Sequence, residues 1–261
     1  MQTKWPYPKT IAHRGAGKLA PENTLAAIRL GVAHGYRAAE IDVKLSGDGT
    51  LLLMHDDTTN RCSDGRGRVA AKTWHQLALL DAGSWHSKEY AGEPIPTYWR
   101  VAKYCIANGV QLNTEIKPCI GRERETGAAV ALETQALFSD PAHVALKPLL
   151  SSFSTDALIA ARDAAPEFDR AHLFDNPLPT DWLARCKTVG AIAMDANWRT
   201  LTQKIVNEAH ANGLRVVCYT CNDPDSAEKL WGWGVDTVIT DEVNLIPFRN
   251  HLSNLIGNPF R

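Results

Sequence analysis

Two carboxylates stand two residues apart in the apolar run AAEIDVKL, as Glu40 and Asp42, and the run QLNTEIK repeats that spacing with Asn113, Glu115 and Lys117. Alternate residues of a strand share a face, so each run brings its polar groups to one side. Three acids gathered on one face repel unless a cation sits among them. Oxygen ligands of this kind suit Mg²⁺ or Ca²⁺ rather than zinc. His13, followed by Arg14 and Gly15, ends another apolar run, and His55, followed by Asp56, ends a fourth. A guanidinium at Arg14 can fork onto a phosphate. The set supplies a Lewis acid, two groups that exchange protons near neutral pH and cations for an anion, all of which phosphodiester cleavage uses. A lone strand-end histidine is commonly a hydrogen-bonded structural residue. Burying His13, Glu40, Asp42, His55, Glu115 and Lys117 on one rim without function would be costly.

What must position them is a parallel barrel. Short apolar, β-rich runs alternate with helical patterns, the signature of βα units. Eight runs read as buried strands: Thr10 to His13, Ala38 to Val43, Val110 to Ile116, Leu149 to Phe153, Arg170 to Phe174, Ala191 to Met194, Arg215 to Tyr219 and Thr237 to Thr240. Helical periodicity covers Thr24 to His34, Thr97 to Asn108, Glu123 to Phe138, Thr155 to Ala165, Pro179 to Arg185, Leu201 to Asn212 and Asp225 to Trp231. A ninth β-like run, Leu51 to His55, follows the second strand after only SGDGT, too short for a parallel crossover, and is expected to fold back as a hairpin. The prediction is an α/β protein, a (β/α)8 TIM barrel forming one domain over residues 1–261, with an irregular rim insertion at about 57–96 after the second strand. The insertion is too small for a core of its own. Strand C-terminal ends form the active rim of such a barrel. There the hairpin returns His55 to the level of the acids, and Tyr219 enters the substrate pocket.

Composition narrows the partners. The formal net charge is -1 and basic residues are scattered, so no field exists for nucleic acid or stable membrane association. A small molecule fits better. The start MQTKWPYPKTIAHRG lacks a signal-peptide pattern and no apolar run approaches the roughly 20 residues of a membrane span, which points to the cytoplasm. The six cysteines read as reduced thiols, and Cys218 with Cys221, at a strand end, as packing rather than redox or zinc chemistry. His34, His75, His86, His143, His172, His210 and His251 fall in helical or loop patterns where surface or capping roles suffice.

At AHRGAGKLAPENTLAAI the chain resembles the opening motif of the glycerophosphodiester phosphodiesterases. The likeness continues in order through EIDVKLSGDGTLLLMHDDTTNR, GEPIPT, LNTEIKP, LLSSFS and GVDTVITD. WPYPKTIAHRGAGKLAPENTLA and DAGSW are similar to the cytosolic bacterial members, which act on diesters taken up or made in the cell, in glycerol and lipid metabolism. The resemblance implies that His13 and His55 are the acid/base pair, that Glu40, Asp42 and Glu115 bind the metal, and that Arg14 and Lys117 contact phosphate. It further implies supporting roles for Glu22 and Asn23, with Glu22 orienting a catalytic group. One departure is CYTCN, where Tyr219 and Cys221 replace the commoner Trp and Val.

The expected reaction is hydrolysis of a glycerophosphodiester to sn-glycerol 3-phosphate and an alcohol. Two rivals remain distinct from it. A phospholipase D-like enzyme acting on lysolipids or sphingomyelin would need an exposed apolar loop, and residues 57–96 are polar. A binding protein without chemistry would have no use for both histidines and all three acids.

Overall fold

The computed structural model describes residues 5–251. The parts of the leader and tail readings that fall on residues 1–4 and 252–261 lie outside the described residues. Eight parallel strands form a closed ring: β1 (Thr10–Ala12), β2 (Ala38–Leu45), β4 (Gln111–Ile116), β5 (Leu149–Ser152), β6 (Arg170–Phe174), β7 (Ala193–Asn197), β8 (Arg215–Tyr219) and β9 (Thr237–Thr240). Ala12 paired to Ala39 closes the ring between the first and second strands. β3 (Leu51–Leu53) pairs antiparallel with the last three residues of β2, from Val43 to Leu45. The fold is a (β/α)8 barrel, and the hairpin lies where the short SGDGT link requires it.

Helices follow the strands: α1 (Leu25–Ala33), α3 (Tyr98–Ala107), α4 (Glu123–Phe138), α5 (Thr155–Ala164), α6 (Trp182–Val189), α7 (Gln203–Ala211) and α8 (Pro224–Gly232). Thr24, Thr97, Ser154, Thr202 and Asp223 each accept a backbone N–H at a helix start. Such caps satisfy donors that have no partner inside the helix and typically contribute about 1 kcal/mol. Most element boundaries fall within two residues of the sequence expectation, and two elements shift further. The sixth ring strand, β7, starts two residues later than expected and runs on to Asn197, because inward-facing Asp195 interrupts the apolar run that marked it. The helix α6 begins at Trp182 rather than Pro179 and continues to Val189, where Gly190 closes it in the left-handed region at φ 61°.

The insertion is more ordered than its irregular composition implies. It contains α2 (Trp74–Leu77), held by a reciprocal capping box between Thr73 and Gln76, and two 3₁₀ turns, Val69–Ala71 and Lys88–Tyr90. Its apolar residues Cys62, Val69, Leu77, Ala82 and Ile95 pack on Leu52 and Met54 of the hairpin. The insertion therefore completes a small core on the back of β3, the element that delivers His55.

Inside the ring, alternate residues face the axis. At the N-terminal end these are apolar: Ile11, Ala38, Leu149, Ala171, Ala193, Val217 and Ile239 cluster with Trp5 and Tyr7. Trp5 Nε1 donates to Thr237 Oγ1 at 2.9 Å, fixing the plug across the barrel mouth. Toward the C-terminal end the same parity becomes polar, through Asn113, Ser151 and Asp195 to Asp42 and Glu115. No helix of the described residues is long and apolar enough to cross a membrane.

The turn after β1 is sterically closed. Gly17 has φ 57°, and an added Cβ would lie 2.0 Å from the Asp241 carbonyl oxygen. At Gly35, φ is 87° but nothing lies within 4 Å of such a Cβ. Gly17→Ala is expected to cost about 2–3 kcal/mol and Gly35→Ala about 1 kcal/mol, the difference reflecting the clash with Asp241. Thermal unfolding followed by circular dichroism checks the ranking, and equal effects would show that the loop yields freely.

Candidate active site

Glu40 and Asp42 project inward from β2, and Glu115 from β4, whose register pairs it with Asp42. One oxygen of each lies within 4.8 Å of the others. All three side chains are buried. Asp42 is held on every side: Asn23 Nδ2 donates to Oδ2 at 2.7 Å, and Asn23 Oδ1 accepts the Asp42 backbone N–H at 3.0 Å. Arg14 Nε lies 3.3 Å from Asp42 Oδ2 and Lys117 Nζ 3.8 Å from Oδ1. Burial opposes the charge on Asp42, yet Arg14, Lys117, His55 and Asn23 outweigh it and hold the pKa down at about 2. Its neighbours go the other way. Burial, Asp42 and Glu115 push Glu40 well above the ordinary carboxylate range, and burial with Asp42 raises Glu115 to about 7 despite Lys117 Nζ at 2.8 Å.

This donor set fits a hard divalent cation. Glu40 Oε1 is buried with no hydrogen-bond partner, the state of an oxygen that a metal ligand would satisfy. The trio is all oxygen, and when fully ionised it would carry one negative charge more than Arg14 and Lys117 offset.

The two histidines sit across this cluster, each backed by a carboxylate. His13 follows β1, and its Nδ1 lies 2.6 Å from Asp241 Oδ1 while Nε2 is 3.8 Å from Glu40 Oε2. Asp241 is itself gripped by Asn222, which donates from Nδ2 at 2.9 Å and accepts the Asp241 backbone N–H at 2.8 Å. His55 Nδ1 lies 2.7 Å from Asp56 Oδ1. Burial depresses the His55 pKa, aided by Arg14 and Lys117 and opposed by Asp42. Arg61 forks onto Asp56 at 2.9 and 3.0 Å and onto Glu22 at 2.7 and 2.9 Å. Glu22 in turn accepts from Arg14 Nη1 at 2.6 Å. Glu22 thus touches Arg14 and Arg61, and reaches His55 only through Arg61 and Asp56.

A cavity of about 350 Å³ opens over these groups, bordered by His13, Arg14, Glu40, His55, Asn113, Glu115, Lys117, Ser151, Phe153, Asp195 and Tyr219, among others. Tyr219 gives its hydroxyl to the Phe174 carbonyl at 2.9 Å and packs edge-on to Phe153, so it offers the cavity a ring wall. Lys117 Nζ lies over the Phe153 ring at 5.2 Å. All ten predicted site residues come together here: eight are in or beside the cluster, and Glu22 and Asn23 hold Arg14 and Asp42.

Sequence reasoning missed Asp241, Arg61 and Asp195. Asp241 occupies the rim position one residue beyond β9, where the strand-end rule applies as it does to His13. Arg61 had no periodic signal. Asp195 lay past the misplaced end of its strand. His172 also differs from the surface or capping role expected: it lies buried on the outward side of β6, bonded to Thr155 Oγ1 at 2.9 Å and stacked on Phe174. Cys218 and Cys221 are buried and free.

The family model described as "Glycerophosphoryl diester phosphodiesterase family" matches residues 13–245. The protein YhdW of Bacillus subtilis (strain 168) is 31% identical over 243 residues, covering 90% of this chain and 95% of that protein. A glycerophosphodiester phosphodiesterase of Caldanaerobacter subterraneus subsp. tengcongensis is 29% identical over 244 residues, covering 90% and 96%. An Oleispira antarctica phosphodiesterase, solved in complex with the product sn-glycerol-3-phosphate, superposes with a TM-score of 0.85 at 36% identity, over 92% of this chain and 95% of that one.

The raised pKa of Glu115 has a measurable sign. A carboxyl whose folded pKa exceeds its unfolded value of 4.5 stabilises the fold below 4.5, and that contribution is lost as pH rises to about 7. In EDTA, wild type should lose roughly 1–3 kcal/mol relative to Glu115→Gln between pH 4.5 and 8. Urea unfolding of both proteins across that range checks it; a pH-independent difference would refute the burial-driven shift.

Proposed function

The chain belongs to the glycerophosphoryl diester phosphodiesterase family, and on that premise we propose that it hydrolyses glycerophosphodiesters to sn-glycerol 3-phosphate and a free alcohol with a divalent ion, Mg²⁺ or Ca²⁺, and a histidine pair. The observation that carries this reading is the meeting of the acid trio with two carboxylate-backed histidines around one cavity. Glu40, Asp42 and Glu115 would hold the ion, which supplies a Lewis acid for the phosphoryl oxygens.

The remaining work falls to side chains of this protein. Lys117 has donors beyond the one given to Glu115, and with Arg14 it sets positive charge where a phosphate would lie. Asp241 and Asp56 each accept from a histidine Nδ1, which leaves Nε2 of His13 and of His55 to exchange protons with the substrate. One imidazole takes the proton of the attacking hydroxyl, from water or from the substrate's own glycerol. The other gives a proton to the departing alkoxide. The paired carboxylates stabilise the imidazolium in either role, and Tyr219 walls the site against solvent. The opening WPYPKTIAHRG and the DAGSW segment support a cytosolic enzyme with small soluble substrates.

Release of sn-glycerol 3-phosphate from glycerophosphocholine and glycerophosphoethanolamine tests this. Turnover should vanish after EDTA treatment and return with Mg²⁺ or Ca²⁺. His13→Ala and His55→Ala should each lower kcat by about 10²–10⁴-fold. Metal-independent turnover would remove the acid trio from the mechanism, and near-normal rates in either variant would remove that histidine.

A further inference from the structure

Below the reacting groups the cavity ends on a carboxyl that the proposed chemistry leaves unused. Asp195 stands in the middle of β7 on the inward parity, 0% exposed; no protein group meets its oxygens in good hydrogen-bond geometry, and the Asn113 side chain is the donor that bears on them. Asn113, on the neighbouring floor, meets Ser151 Oγ at 2.8 Å through Oδ1 and bears on Asp195 through its buried Nδ2 without a well-formed hydrogen bond. Whichever way round the amide is placed, one of its two polar atoms lacks a well-formed bond. Buried polar atoms without full hydrogen bonding destabilise a fold, so this floor favours a ligand whose polar groups complete its bonds.

The ligand's chemistry follows from what the floor offers. A phosphate is repelled by a carboxyl and is drawn upward to Arg14 and Lys117, which also repel a cationic head group that would pass between them. Adjacent neutral hydroxyls suit the floor, since each donates to a carboxyl oxygen and accepts from an amide. We propose that Asp195 and Asn113 form a specificity floor that reads the hydroxyls of the substrate's glycerol half, so that glycerol enters the barrel and the alcohol half faces the rim. This rests on the glycerophosphodiester reading above and extends it to orientation and discrimination.

The test uses the holoenzyme and two diesters, glycerophosphoethanolamine and its analogue with a 2-hydroxypropyl group in place of glycerol, which keeps the hydroxyl next to the phosphate ester and lacks the terminal one. Wild type should favour the glycerol diester in kcat/KM by at least about 10²-fold, because a site built to bond a hydroxyl strongly rejects a partner lacking it. In Asp195→Leu that preference should fall below about 10-fold, with an unliganded melting temperature unchanged or higher. Thermal stabilisation by sn-glycerol 3-phosphate should exceed that by inorganic phosphate in wild type, and the two should become equal in the variant. Should Asp195→Leu fail to fold, the smaller, β-branched Asp195→Val carries the same measurements. A variant that keeps the wild-type preference and the advantage of glycerol phosphate over phosphate overturns the inference, as does wild type without either. Failure of wild type to cleave the glycerol diester at all would instead sink the proposed function.

Discussion

Keeping Glu40, Asp42 and Glu115 together is the constraint on which the rest of this molecule turns. Each is buried, and one oxygen from each falls within 4.8 Å of the others. Desolvation and mutual repulsion both oppose that arrangement. The protein answers unevenly. Asp42 receives an amide and two cations and is kept ionised, whereas Glu40 and Glu115 are driven toward the neutral form. A cluster that can exist only half-charged by itself is one that gains most from a divalent ion.

That demand shapes the polypeptide around it. Arg14 and Asn23 are the two described non-glycine residues with positive φ, at 50° and 58°, and both reach Asp42. Such conformations cost about 1–3 kcal/mol and persist only where the surroundings over-determine them. Here the surroundings are explicit: the Arg14 backbone N–H donates to Glu40 Oε2 at 3.1 Å, and its carbonyl accepts from the Asn23 N–H at 3.1 Å. The strained turn after β1 and the loop before α1 are thus tied to each other and to the acids.

Periodicity and spacing made most of this legible. Glu40-x-Asp42 and Asn113-x-Glu115 announce a shared strand face, and SGDGT forces the hairpin that returns His55. Strand alternation fails where function interrupts it: the inward carboxyl of Asp195 broke the apolar pattern, so the strand that contains it was placed too early. Partners distant in sequence leave no local trace. Asp241 meets His13 across 228 positions, and Arg61 meets Glu22 across 39, because barrel closure and the insertion's packing, rather than any spacing, bring them together.

The insertion is best understood through that last pair. Arg61 grips Asp56 and Glu22 with four bonds, joining the carboxylate behind His55 to the one that steadies Arg14. Each fork is geometrically specific, since a planar guanidinium meets a carboxylate in few orientations. Arg61 lies six residues past His55, and Cys62 beside it is packed into the core that the insertion builds on Leu52 and Met54. Folding of residues 57–96 therefore fixes Arg61, Arg61 fixes Asp56, and Asp56 orients His55. A segment that contributes none of the acid trio and neither histidine still determines where one of those histidines points.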